Sequence, residues 1–268
     1  MTDTRPLALV TGASSGIGAT FARRLARDGF ALILVARRRD RLEALARELG
    51  GAEVLAADLT RDDELKLVED RIAAAPDLDL LVNDAGFGTV GRYFEIPVES
   101  QDQMHRLHIM ATMRLTHAAL RAMVPRGKGG VINVSSVAAF GQSPQNVSYC
   151  STKAWMNSFT EGLHLELKIA GSPVRVQALC PGFTLSEFHD VVGIDRKTIP
   201  AWLWMRAEDV VDVSLRGLAR GQPLVVPGAI YKLIVKLEAW TPRWLRTAAV
   251  VRLARRGERK SVGRKDVP

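Results

Sequence analysis

Short apolar segments alternate with longer helical patterns through most of this chain. The first two of these segments, Leu7–Thr11 and Ala31–Val35, are apolar almost throughout and do not alternate with polar residues. Strands of this kind are buried on both faces, and strands separated by helices pair in parallel. The pattern therefore predicts an α/β fold, a doubly wound parallel sheet of the Rossmann type in three αβα layers.

The same pattern gives the expected order of the elements. Strands are predicted at 7–11, 31–35, 53–56, 78–82, 130–135 and 173–180, and helices at 16–28, 38–49, 60–75, 99–123 and 149–170. No repeat, low-complexity tract or linker divides the sequence. We therefore expect a single domain over residues 1–228, followed by a basic amphipathic extension at 229–268.

Composition and charge exclude several classes of protein. Cys150 and Cys180 lack the spacing of a disulfide framework or a metal site, so we expect no metal and a reducing, cytoplasmic setting. The net charge is +8, and residues 220–268 hold 12 Lys or Arg against 3 Asp or Glu. A nucleic-acid-binding protein would spread basic and aromatic residues over a docking face, so we expect no nucleic-acid partner.

A glycine-rich turn, T-G-A-S-S-G-I-G, follows the first predicted strand and opens the first helix. Glycines let the chain turn tightly and let backbone N–H groups approach a phosphate at a helix N-terminus. The alternative is a tight turn without a ligand. The predicted phosphate contacts come from Gly12, Ser14, Ser15, Gly16, Ile17 and Gly18.

A basic run, Arg37 to Arg39, stands where dinucleotide-binding proteins place the group that reads the adenosine ribose. An acidic residue there favours NAD(H), whereas a guanidinium pairs with a 2′-phosphate. No acidic residue precedes Asp40 in this segment. We therefore predict NADP(H) as the preferred cofactor, with Arg37 as its ligand; a solvated start to the next helix is the alternative.

Tyr149 and Lys153 are four positions apart in a predicted helix and so share one of its faces. A free phenol has a pKa near ~10. A neighbouring ammonium group stabilises the phenolate and is expected to lower that pKa. The pair is suited to general acid/base chemistry.

Together these motifs resemble the short-chain dehydrogenase/reductase family in its single-domain form, over about residues 5–225. Ser136 precedes Tyr149 by 13 positions, the family's usual separation. The resemblance implies hydride transfer between a nicotinamide cofactor and a carbonyl or alcohol. Ser136 would hold the substrate oxygen, Tyr149 would exchange its proton, and Lys153 would assist Tyr149 and bind the nicotinamide ribose. A homodimer or homotetramer is also implied.

The resemblance implies further contacts with the cofactor. They are Asp58 and Leu59 at the adenine, Asn83, Ala85 and Gly86 along the adenosine, and Pro181, Gly182 and Thr184 over the nicotinamide, besides Tyr149 and Lys153. Asp84 departs from the family, which has Asn there. An ionised Asp only accepts hydrogen bonds, so the contacts at this position must differ.

A second departure is His108, which stands where the family has a fourth catalytic residue, an Asn that holds a water chain between Lys153 and solvent. Both nitrogens of an imidazole can take part in hydrogen bonds. We therefore expect His108 to replace the Asn in this proton relay. The alternative is a histidine that only packs on its helix.

Residues 183–206 correspond to the family's substrate lid. Aromatic residues there and after the fourth strand predict an apolar lining and a small hydrophobic substrate. The predicted substrate contacts are Ser136, Phe87, Phe183, Trp202 and Trp204. For the two Trp residues, core packing or an oligomer contact is the alternative.

The extension carries an apolar stripe at Ile230, Leu233, Ile234 and Leu237, and the stretch 244–256 is again amphipathic and basic. We expect the stripe to pack on its own domain; weak contact of 229–268 with an anionic membrane surface is the alternative. The rival to an enzyme is a cofactor-binding regulatory or membrane-peripheral protein with little turnover. A regulatory protein predicts an eroded Ser, Tyr and Lys set, which here is intact, and a membrane-peripheral protein leaves the N-terminal motifs unexplained.

Overall fold

The computed structural model describes residues 5–187 and 199–262. Seven parallel strands form one sheet in this part of the chain. They are β1 Leu7–Thr11, β2 Ala31–Ala36, β3 Glu53–Ala56, β4 Leu78–Asn83, β5 Gly130–Val134, β6 Arg175–Leu179 and β7 Leu224–Val225. Their order across the sheet is β3-β2-β1-β4-β5-β6-β7, which confirms the doubly wound parallel prediction.

Helices connect these strands. They are α1 Gly16–Arg27, α2 Arg39–Glu48, α3 Asp62–Ala73, α4 Val98–His105, α5 Thr112–Arg126, α6 Val147–Ile169, α7 Ala207–Ala219, α8 Ala229–Trp240 and α9 Arg243–Val262. A π-helical turn, Arg106–Ala111, joins α4 to α5, so the single helix expected at 99–123 is three consecutive pieces. The sequence analysis did not predict α7 and β7.

Alternate residues of each strand enter the two helical layers. On β1, Ala8 and Val10 pack with α1, α2 and α7, while Leu9 packs with α3 and α5 on the other face. Leu9 has no exposed surface, and burying a Leu side chain contributes about 2 kcal/mol. The apolar strands therefore form because both of their faces are covered.

A buried chain of polar side chains joins the centre of the sheet to α6. Asn83 donates to Asn133 at 2.9 Å and to Thr116 at 3.1 Å, and Asn133 donates to Thr160 of α6 at 3.0 Å. Leaving a buried group of this kind unpaired costs about 1–3 kcal/mol. These bonds therefore help to fix the position of α6 against β4 and β5.

All seven strands run the same way, so their C-terminal ends lie along one edge of the sheet. The chain connection reverses direction across the sheet between β1 and β4. Ligands of doubly wound sheets bind in the crevice at such a reversal.

Candidate active site

A cavity of about 510 Å³ lies at this edge of the sheet. The glycine turn after β1, the C-terminal ends of β2 to β6 with the segments that follow them, and the start of α6 contribute to its wall. It brings together most of the residues singled out in the sequence: Gly12, Ser14, Ser15, Gly16, Ile17, Arg37, Asp58, Leu59, Ala85, Gly86, Phe87, His108, Ser136, Tyr149, Lys153, Pro181, Gly182, Phe183 and Thr184.

The glycine turn lies directly against the segment that follows β4. Gly12 has φ +69°, and a Cβ there would lie 2.9 Å from the backbone nitrogen of Ala85. The hydroxyl of Thr11 accepts hydrogen bonds from the N–H groups of Asp84 and Ala85 at 3.0 and 3.1 Å. Gly12 is therefore required both for its left-handed conformation and for the close approach of two backbones.

Arg38 is the arginine that reaches the glycine turn, and the sequence analysis had chosen Arg37. One guanidinium nitrogen of Arg38 donates to the hydroxyls of Ser14 and Ser15, each at 3.0 Å. Arg37 also lines the cavity. The identity of the arginine depends on the turn between β2 and α2, and the run of three arginines does not reveal it.

Arg38 also holds an acidic side chain from the segment after β6. Its other terminal nitrogen donates to Glu187 at 3.1 Å, and Arg41 donates to the same carboxylate at 2.6 Å. The hydrogen bonds from Arg41 and then Arg38 lower the pKa of Glu187. Arg38 thus bridges the two serine hydroxyls and a carboxylate, and an anionic group of a ligand would be attracted to the same guanidinium.

Ser136, Tyr149 and Lys153 lie together where β5 ends and α6 begins. The hydroxyl of Ser136 lies near that of Tyr149 and acts to lower the Tyr149 pKa. The ammonium of Lys153 lies 5.8 Å from the centroid of the Tyr149 ring and donates to the carbonyl of Val134 at 2.7 Å. Ser135 donates to the carbonyl of Lys153 at 3.1 Å, which ties this turn of α6 to the end of β5.

Burial, rather than the neighbouring ammonium, dominates the acidity of Tyr149. Desolvation raises the pKa of Tyr149 to about 12, although the Ser136 hydroxyl acts in the opposite direction. Burial lowers the pKa of Lys153 to about 8, and Asp84 opposes that shift. The expected lowering of the Tyr149 pKa is therefore not found. Tyr149 is a neutral phenol at pH ~7 that can donate its proton to an oxygen held by Ser136.

His108 is fully buried beside this group, in the π-helical turn. Its Nε2 accepts from the N–H of Phe87 at 3.3 Å, so the proton is on Nδ1, which lies 2.9 Å from the hydroxyl of Thr152. Thr152 in turn donates to the carbonyl of Tyr149 at 2.9 Å. Burial lowers the pKa of His108 well below its ordinary value, so the ring is neutral.

These contacts bear on the predicted relay. Both ring nitrogens of His108 are engaged by groups of the protein, so a relay through a water molecule requires one of these bonds to be exchanged. The ring also lies edge-on to the Tyr149 ring, at 5.9 Å between centroids. The relay stays a prediction, while a role in holding Tyr149 and Phe87 in place follows from the geometry.

Asp84, the other departure, faces the cavity behind the glycine turn. A Cβ on Gly18 would lie 2.7 Å from an oxygen of the Asp84 carboxyl group, so the missing side chain lets the two segments meet. Desolvation raises the pKa of Asp84, and the nearby Lys153 acts in the opposite direction. The carboxyl group of Asp84 is therefore close enough to Lys153 for their charges to interact.

Four of the predicted contact residues, Gly18, Asn83, Trp202 and Trp204, are not among the residues that line the cavity. The side chain of Asn83 lies in the core, bonded to Asn133, and does not reach the crevice. Trp202 is 66% exposed, and Trp204 packs against Phe183 with 5.6 Å between ring centroids. Residues 188–198 of the expected lid lie outside the described residues.

Tyr231 of α8 holds the two ends of the lid together, and sequence reasoning missed it. Its hydroxyl donates to the carbonyl of Leu203 at 2.6 Å and accepts from the N–H of Phe183 at 3.0 Å. A Cβ on Gly182 would lie 2.1 Å from the Tyr231 ring, so Gly182 makes room for it. The only sequence feature that could have indicated this role is the position of Tyr231 next to Ile230, the first residue of the apolar stripe of α8.

Two other structural features are absent from the residues that the structure describes. No group of three or more His, Cys, Asp or Glu is placed to hold a metal ion there. No helix in that part of the chain is long and apolar enough to span a membrane.

Comparison with known proteins identifies the family. The family model described as short chain dehydrogenase matches residues 6–196. An uncharacterised oxidoreductase of Myxococcus xanthus is 33% identical over 219 residues, which cover 80% of this chain and 84% of that protein.

Solved structures agree in fold and extent. A short-chain dehydrogenase from Sphingobium yanoikuyae, in complex with NADPH, superposes with a TM-score of 0.78 at 34% identity, covering 98% of this chain and 96% of that one. The bulky-bulky ketone specific alcohol dehydrogenase from Comamonas testosteroni has a TM-score of 0.75 at 31% identity, covering 90% and 96%. The protein belongs to the short-chain dehydrogenase family and is an NAD(P)-dependent oxidoreductase of CH–OH and C=O groups.

Proposed function

We propose that the protein is an NADP(H)-dependent enzyme that interconverts a bulky hydrophobic carbonyl compound and its alcohol. The observation that carries the proposal is the grouping of Ser136, Tyr149 and Lys153 on the wall of the cavity that the glycine turn borders. A regulatory protein with little turnover has no need for this buried constellation.

Ser136 binds the substrate oxygen in this proposal, and Tyr149 gives it a proton in reduction or removes one in oxidation. The raised pKa of Tyr149, about 12, keeps the phenol protonated at neutral pH, as proton donation requires. Lys153 provides positive charge behind the phenol, and burial of the site strengthens that interaction. The nicotinamide cofactor supplies or accepts the hydride when bound.

The cavity has the features needed to hold such a cofactor. Gly12 and Gly16 adopt φ +69° and +57°, so the glycine turn presents backbone in place of side chains at the start of α1. Asp58 and Leu59 also line the cavity, and the adenine is proposed to bind beside them.

Arg38 is the proposed ligand of the 2′-phosphate, in place of Arg37. Its guanidinium already lies within 3.0 Å of the hydroxyls of Ser14 and Ser15, so three groups with N–H or O–H donors converge on one point. The NADPH complex of the Sphingobium protein supports a phosphorylated cofactor here by similarity. Glu187 forms ion pairs with both Arg38 and Arg41 in the described structure. A 2′-phosphate carries more negative charge than a carboxylate and would take the place of Glu187 on Arg38.

The substrate is proposed to meet Phe87 and Phe183 above Ser136. Both aromatic side chains line the cavity. Their apolar surfaces favour a hydrophobic substrate, and the Comamonas relative is described as specific for ketones with two bulky substituents. We also propose that the protein forms a homodimer or homotetramer and is cytoplasmic. Weak contact of residues 229–268 with a membrane surface is proposed as well, because α8 and α9 have an exposed face.

The cofactor assignment is tested with purified protein, a panel of bulky ketones and their alcohols, and both reduced nicotinamides. We expect kcat/KM to be higher with NADPH than with NADH. Arg38→Ala should lower kcat/KM for NADPH about 10- to 100-fold, because a charge-assisted contact is lost, and leave that for NADH nearly unchanged. Arg37→Ala is the matched neighbouring variant; if it alone abolishes the preference, the assignment to Arg38 is wrong.

A further inference from the structure

The apolar stripe of α8 faces outwards in the structure. Its exposed fractions are 42% for Ile230, 57% for Leu233, 42% for Ile234, 59% for Leu237 and 88% for Trp240. The expectation that this stripe packs on its own domain is therefore wrong. A different face, with Tyr231 and Val235, packs against the core, because the hydroxyl of Tyr231 finds its partners at the ends of the lid.

The next helix carries further exposed apolar side chains. Trp244 of α9 is 72% exposed, and Leu245 and Val251 are also exposed. The two helices meet at Thr241 and Pro242, with Trp240 and Trp244 one helical turn apart in the sequence on either side of the junction. Large apolar side chains grouped in this way on a surface mark a site of interaction.

Positive charge accompanies this apolar surface. Lys232 and Lys236 are exposed and lie on α8 next to the stripe, and Arg243 and Arg252 are exposed on α9. Glu238 is the only acidic residue in the sequence from 229 to 254. Glu238 is half-buried and lies within 4.0 Å of Arg246, so it does not offset the exposed lysines.

We propose that α8 and α9 dock on an anionic lipid membrane surface, with the apolar stripe and the two tryptophans in the boundary between headgroups and acyl chains. Amphipathic helices with basic residues beside the apolar face bind in this way. Tryptophan is favoured at that depth because its ring is apolar and its N–H is polar. A second copy of the chain is the less suitable partner, because the same face would bring Lys232 and Lys236 of both copies together without acidic residues to pair with them.

The buried face of α8 connects this surface to the lid. Tyr231 bonds to both Phe183 and Leu203, on the two sides of the lid segment. A membrane that holds α8 thereby lies close to Phe183, one of the proposed contacts for a hydrophobic substrate. Docking does not require the proposed reaction, so it can be tested without a substrate.

The test is co-sedimentation of the full chain with vesicles of phosphatidylcholine alone and of phosphatidylcholine with phosphatidylserine. We expect the protein to sediment with the anionic vesicles, less with the neutral ones, and less when salt is raised. Failure to bind anionic vesicles at low salt overturns the proposal. Equal binding to both vesicle types also overturns it, since the basic residues would then have no role.

Leu233→Gln/Leu237→Gln should lower the partition coefficient on anionic vesicles about tenfold or more, because two leucine side chains that the membrane would bury are lost. Leu67→Gln on α3 is the control, since Leu67 is exposed to the same extent as Leu233, at 57%. Lys232→Gln/Lys236→Gln should reduce binding to anionic vesicles only. The oligomeric state of each variant is measured by sedimentation velocity. If the leucine variant becomes a smaller oligomer and still binds vesicles as the wild type does, the face joins two copies of the chain and the proposal is wrong.

Discussion

Asp84 and Lys153 approach each other from two different elements, and each shifts the pKa of the other. Desolvation raises the pKa of Asp84 and lowers that of Lys153, while their mutual attraction opposes both changes. The resemblance to the family predicts Asn at the position that Asp84 occupies. The substitution adds a titratable group behind the glycine turn.

Asp84→Asn should stabilise the protein at high pH. A carboxyl whose pKa is raised in the folded state keeps its proton there while the unfolded chain has lost it, so wild-type stability falls as the pH rises from about 4 to about 8. Asn carries no charge and removes this loss. We expect the melting temperature of Asp84→Asn to exceed that of the wild type at about pH 8 and to approach it at about pH 5. Asp62→Asn, at an exposed position, is the control; an equal difference at both pH values contradicts the account.

His108→Ala tests the remaining departure. It removes the bonds to Phe87 and Thr152 and leaves a cavity, so we expect a loss of about 2–4 kcal/mol in the free energy of unfolding. His108→Asn keeps an amide that can accept and donate, and should retain more stability. If His108→Ala leaves kcat and its pH dependence unchanged, the predicted relay role of His108 is wrong.

At the scale of elements, the sequence predicted best where periodicity extends over a whole segment. The six strands β1 to β6 and most helix positions follow from their near-continuous apolar runs and the helical segments between them. The two-residue strand β7 is too short to carry a period, and the analysis did not identify α7. The stripe of α8 was recognised but placed on the wrong face, because contacts of Tyr231 with distant backbone decide which face is buried.

Tyr231→Phe should loosen the lid without unfolding the protein. It removes the hydrogen bonds that join Phe183 to Leu203 and retains the ring beside Gly182. We expect a loss of about 1–2 kcal/mol in stability and a higher KM for a bulky ketone, with a smaller effect on kcat. Tyr93→Phe, at a half-exposed position, is the control. An unchanged KM shows that the bridge does not position the lid.

At the scale of the whole molecule, the parallel order of the strands gathers the site. The glycine turn follows β1, Asp84 follows β4, Ser136 follows β5 and Gly182 follows β6, so residues far apart in the sequence meet at one edge. This is why the spacing of the motifs predicts that Ser136, Tyr149 and Lys153 lie together, while their catalytic roles stay a prediction. Which of Arg37 and Arg38 reaches the serines, and which way Asn83 points, could not be predicted, because both depend on local backbone direction at the end of a strand.

The central claim is that Tyr149 is the proton donor of a hydride-transfer site. The most direct measurement is kcat/KM for Tyr149→Phe with NADPH and the best ketone of the panel, alongside NADPH affinity by fluorescence titration. We predict a fall in kcat/KM of about a hundredfold or more, with NADPH affinity changed only a few-fold, because the hydroxyl acts in proton transfer. Tyr149→Phe that turns over at the wild-type rate would contradict the account.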